Sequence, residues 1–155
     1  MCLLIPELDG MLDLCEYLDL EERGWLVIPQ GGFTKLGHLV VIHGDTVGGG
    51  VYSARKAAEV YAGSSVVLGH LHTLQVHTRS SPVAQTDRWT ATVLPCLSTT
   101  APTYGRGKAN TWLQGFGIVY IRPGGQFNLY PTVIVNGEAV IGGQLYGMRP
   151  HRKAV

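Results

Sequence analysis

Apolar positions along the chain follow two rhythms, and the change between them organises the sequence. Near the start, Leu8, Met11, Leu12, Cys15 and Leu18 recur every three or four residues with acids between them. That spacing predicts an amphipathic helix running to about Leu20, with Pro6 in its first turn and Gly24 ending it. WLVIP at 25–29 reads as a short strand stopped by Pro29. QGGFTKLG then reads as a turn region, and HLVVI at 38–42 as a strand apolar enough to be buried on both faces. A glycine-rich loop (Gly48, Gly49, Gly50), a helix from about Tyr52 to Ala62 and an apolar strand, SSVVLG at 64–69, follow. Strand, loop, helix and strand within about 30 residues has the size of a βαβ crossover, so the two strands are expected to lie parallel.

Beyond Thr73 the helical period disappears and strand-length runs replace it. TLQVHTR (73–79), WTATVLP (89–95), GFGIVYI (115–121), QFNLYPTVIV (126–135) and EAVIGGQLY (138–146) read as strands. Pro123-Gly124-Gly125 signals a turn, and Asn136-Gly137 a tight type I′ hairpin. The expected fold class is α/β (α+β by content), a βαβ unit followed by an antiparallel sheet. One domain is expected over 1–147, with a basic, frayed tail at 148–155. Residues 96–114 form a long polar loop of the kind that lines a site.

Composition narrows the class. Hydrophobic content of 45% with 15% charged residues describes a globular chain, and 155 residues suffice for one core. The net charge of +1 hides an asymmetry: residues 1–22 hold seven acids and no base, whereas 23–155 hold twelve Lys or Arg against four acids. A basic body favours a phosphate-bearing ligand through its long-range field, although ordinary solvated surface charge has the same composition. No dense basic cluster interleaved with aromatics marks a nucleic-acid surface. Cys2, Cys15 and Cys96 form neither a disulfide framework nor a metal knuckle, which suits a reducing, cytoplasmic setting. No run reaches the roughly 18 apolar residues of a membrane span, and MCLLIPELDG lacks the basic start of a signal peptide.

The chemistry collects at two strand ends. His43 follows the first parallel strand, and His70 and His72 follow the second, where open parallel sheets bind ligands. Strand alternation, if it persists through GHLH, points His70 and His72 to one side. Three imidazoles suit a mononuclear ion with an open water position, whereas a two-ion hydrolytic centre also needs bridging carboxylates. Asp45 is the only acid close to them in sequence. His38, His77 and His151 are expected to be structural or part of the tail, and Cys96 a small packed residue.

The order strand–His-Gly-Asp, helix, strand–Gly-His-Leu-His, antiparallel sheet resembles the calcineurin-like metallophosphoesterases. Within that family it most resembles the compact forms of bacteriophages and of DNA-repair-nuclease-like relatives. VVIHGD resembles the fourth metal motif of that family and VVLGHLH the fifth, while Leu97, Tyr104, Trp112 and Gly115-Phe116 resemble the run that closes the site. The resemblance covers about residues 5–147 and implies half of a four-layer αββα sandwich. It also implies two divalent ions, manganese first, with iron or zinc as alternatives. His43 and His70 would hold one ion and His72 the other. Asp45 would stand behind the ligands, and Tyr104 and Trp112 would touch substrate or anchor the core and loop. The implied activity is hydrolysis of a phosphomonoester or phosphodiester, with nucleic acid or a nucleotide among the substrates.

The family's first three motifs, Asp-x-His, Gly-Asp-x-x-Asp and Gly-Asn-His-Glu, do not occur here. Activity is therefore expected to need a complementing chain that carries them. The alternatives are a homo-oligomeric, non-catalytic structural or binding module derived from the same fold, or a mononuclear metalloenzyme. No membrane partner is expected, and a phage-encoded protein would work in the host cytoplasm.

Overall fold

The structure, a computed structural model, describes residues 18–84, 87–103 and 109–147. The expected N-terminal helix lies almost wholly outside them, as do Cys2, Cys15, Tyr104, His151 and the basic tail; residues 18–24 are turns. The described residues form a mixed α+β fold with one α-helix and nine strands in three sheets. No helix among them is long and apolar enough to cross a membrane.

Five strands make the first sheet: β1 (Phe33–Leu36), β2 (Leu39–Ile42), β3 (Val66–Leu68), β4 (Gln75–Ser80) and β5 (Arg88–Val93), in the order β1-β2-β3-β5-β4. β2 and β3 are parallel, joined through helix α1 (Ser53–Val60), so the crossover read from the sequence is present. β5 also lies parallel to β3, and β4 pairs antiparallel with β5. The first sheet thus extends two strands further than the sequence reading allowed, and the purely antiparallel part begins later. Alternation along β5 explains this: Ala91 and Val93 are fully buried with the helix, so the strand belongs against it.

Two strand assignments move. Residues 25–29 have no ladder partner and are not a strand, while β1 falls in the stretch read as a turn. The reason is the tight connection at Gly37-His38, which folds β1 back onto β2. Gly37 has φ 60°, and a Cβ there would collide with Gly125 O, which accepts the His38 N–H at 2.8 Å. His38 therefore sits in a turn that ties the first sheet to the second, not within a strand.

α1 packs through small residues. Ala54, Ala57 and Ala58 are buried against Val40, Ile42, Val66, Leu68, Ala91 and Val93, which form the core. The first turn of the helix is satisfied from outside: Gln75 Oε1 accepts the Ala54 N–H at 3.2 Å while Ser53 Oγ donates to Gly50 O at 2.8 Å. Trp89 Nε1 donates to Ala58 O at 2.8 Å and closes the helix edge.

The remaining strands are β6 (Gln114–Ile121) paired with β7 (Phe127–Ile134), and β8 (Glu138–Ile141) paired with β9 (Gln144–Gly147). Asn136 and Gly137, with φ 53° and 78°, make the two-residue hairpin that the sequence signals. The run 138–146 is two strands, not one, because Gly142 and Gly143, both at positive φ, reverse the chain. β7 faces the side of the first sheet opposite α1, across a cleft lined by Leu39, Thr92, Phe127 and Leu129.

Candidate functional site

β2 and β3 end side by side, and Gly69 N–H donates to His43 O at 3.0 Å, locking the two strand ends together. Between them Gly44 is buried at φ 107°, and a Cβ would lie 3.1 Å from Leu68 Cδ1 and 3.2 Å from Gly69 O. Only glycine gives that backbone both its conformation and its room. The chain then leaves β3 through Gly69 and two left-handed residues, His70 at φ 62° and His72 at φ 58°.

The strand conformation does not persist through GHLH, so the condition under which the two histidines would share a side is not met. Strand alternation ends at Leu68, so their directions are set by separate left-handed residues. His70 turns to His43: Nδ1 of one ring and Nε2 of the other are 3.1 Å apart, with ring centroids 4.8 Å apart at 67°. One ring nitrogen must donate and the other accept, so a single hydrogen bond joins the two exposed imidazoles. His72 packs edge-on against Trp112, centroids 4.3 Å apart, and its carbonyl accepts the Leu113 N–H at 2.8 Å. Its Nδ1 is buried without a hydrogen-bond partner, an arrangement that costs about 1–3 kcal/mol.

Asp45 is half-buried and accepts from Gln30 Nε2 at 3.1 Å. That hydrogen bond is the main reason its carboxyl is held below the ordinary value; partial burial works the other way, and the field of His43 and His70 adds to the lowering. His43, His70, Asp45 and Gln30 are among the residues that line a recess of about 670 Å³, with Ile28, Pro29, Val41 and Ile42. Gln30 and the 28–32 segment had no local signal: Gln30 lies 15 residues from Asp45, and only the fold brings them together.

The fit of these residues to metal is partial. Imidazole–ion bonds of about 2.0–2.1 Å place neighbouring ligand nitrogens roughly 3 Å apart, so the His43–His70 separation suits two ligands of one ion. His72 does not join them. Among the described residues no three His, Cys, Asp or Glu side chains form a group that could hold a metal ion. The carboxylates of a two-ion centre are not supplied either, so these residues do not by themselves fit the dinuclear site that the resemblance implies. Trp112 lies beside His72, and Tyr104 is outside the described residues. His77 is within β4, and Cys96 is a half-buried free thiol near the carbonyls of Ser98 and Leu113. No protein-family model, curated protein or solved structure matches the chain.

Proposed function

We propose that this chain is a non-catalytic, self-associating structural or binding module built on half of an αββα sandwich of the metallophosphoesterase kind. The divergence of the histidines carries this reading: two imidazoles pair with each other, the third is engaged by Trp112, and Asp45 is held by Gln30. A hydrolytic centre needs several ligands gathered on one point, and among the described residues no three His, Cys, Asp or Glu side chains form such a group. Large apolar side chains at the surface, including Trp25 at 66% and Leu26 at 77% exposure, support association.

One observation favours a second reading, a metal-dependent phosphoester hydrolase fragment completed by another chain. His43 and His70 lie at ligand spacing at the ends of two parallel strands, beside a recess open to a substrate. A divalent ion there would supply Lewis-acid activation. His43 and His70 would hold it, and a complementing chain would bring the carboxylates.

Native mass spectrometry of the purified protein in manganese-containing buffer tests both at once. A metal-free homo-oligomer is the expected result. Two ions in an assembly with a second, different chain would overturn it in favour of the split enzyme.

A further inference from the structure

Among the described residues two polar side chains are buried, and they differ in their partners. Ser53 is 1% exposed, and its hydroxyl donates to the carbonyls of Gly50 and Gly48, at 2.8 and 3.0 Å. Thr92 is 3% exposed, and among the described residues its hydroxyl has no hydrogen-bond partner. Its polar neighbours are engaged: Ser65 Oγ accepts the Thr90 N–H at 3.1 Å, and the hydroxyls of Thr78 and Thr90 meet at 3.0 Å. A buried hydroxyl is unfavourable until something meets it.

Strand alternation sets the direction of Thr92. Ala91 and Val93 lie in the core with α1, so Thr92 points to the other face of the sheet. There it lines the cleft below β7 with Leu39, Val76, Phe127, Leu129 and Pro131. The cleft holds about 310 Å³, at the lower end of small-molecule sites, which begin at roughly 300 Å³. Among the described residues, none that lines it carries a charge or a titratable group, and none is shared with the recess beside His43 and His70. An ion would leave water there with no counter-charge to receive it. A neutral ring would instead pack on Phe127, Leu129 and Pro131.

We infer that this cleft binds a neutral compound, a single substituted ring carrying one hydroxyl or carbonyl group, which Thr92 receives. The Thr92 hydroxyl both donates and accepts, so it serves either group. The site goes beyond the module proposed above and depends neither on self-association nor on the histidines.

Titration of the natural chain with 4-propylphenol, followed by proton–nitrogen NMR correlation spectra, tests it. Saturation is expected, with amide shifts at Val76, Thr92 and Leu129. Thr92→Val keeps the side chain's shape and removes its hydroxyl. It is expected to weaken 4-propylphenol by roughly 3–10-fold, the worth of one hydrogen bond, and to leave propylbenzene unchanged. Val76 lies opposite Thr92 on the edge strand β4 and is half exposed, so Val76→Trp fills the cleft without entering the core. That variant is expected to abolish binding of both. The charged analogue 4-propylbenzoate is expected not to bind.

No saturation with either neutral ring, shifts confined to other residues, or a benzoate bound as tightly as the phenol overturns the site. If Thr92→Val changes both neutral probes equally, the hydroxyl contact fails and the inference with it. Nuclear Overhauser contacts to the Thr92 methyl from residues 1–17, 85–86, 104–108 or 148–155 of the ligand-free chain would seat the protein's own residues in the cleft and overturn it as well. Each of these leaves the module reading standing, because that reading is tested by the state of assembly.

Discussion

His70 and His72 are held in left-handed backbone, a conformation that costs a residue with a Cβ about 1–2 kcal/mol. Gly44 adopts a positive φ at the same strand ends but has no such cost. The two positions should therefore respond to different extents. Gly44→Ala introduces a strained φ and a Cβ 3.1 Å from Leu68, and should destabilise by about 1–3 kcal/mol in urea unfolding. His70→Gly relieves strain but adds about 0.4–1 kcal/mol of unfolded-chain freedom and loses an exposed hydrogen bond. Its net effect should lie near zero or slightly above. A loss of stability at His70→Gly as large as that at Gly44→Ala would mean that the His43–His70 pair is a structural bond. The presence of these histidines was legible in the sequence; their directions were not, because φ at a loop residue is settled by what surrounds it.

At the level of elements, the helix expected from about Tyr52 to Ala62 is present as α1, and the structure adds which face it buries: Ala54, Ala57 and Ala58. Enlarging one of them should be felt: Ala57→Leu, at a site with no exposure, should lower stability by about 1–3 kcal/mol and shift the thermal midpoint down. An unchanged midpoint would mean that the helix can slide on the sheet. The crossover from β2 to β3 and the Asn136-Gly137 hairpin were also readable, since each depends on local period or turn chemistry. β1 was not. Its status as a strand comes from pairing with β2, and four residues of mixed polarity have no period of their own.

For the molecule as a whole, the central question is whether the strand-end histidines act or merely persist. With manganese and bis(p-nitrophenyl) phosphate, the purified chain should show no hydrolysis above the uncatalysed rate. Turnover that disappears in His43→Ala would defeat the non-catalytic reading. The fold places β7 over the face of the first sheet away from α1, leaving the outer side of β6 and β7 with Tyr120 and Tyr130 edge-to-face, 5.8 Å between centroids.

What the sequence determined by itself is what neighbours along the chain can enforce: the βαβ unit, the Asn-Gly turn, and the arrival of His43 and His70 at adjacent strand ends. What only the tertiary structure decided depends on groups far apart in the chain. Gln30 reaches Asp45, Gly37 must be bare because Gly125 lies against it, β5 joins the parallel sheet, and His72 turns to Trp112. The physical reason is range. Propensity and periodicity act over a few residues, whereas the direction of a side chain at a strand end is set by contacts whose partners lie tens of positions away.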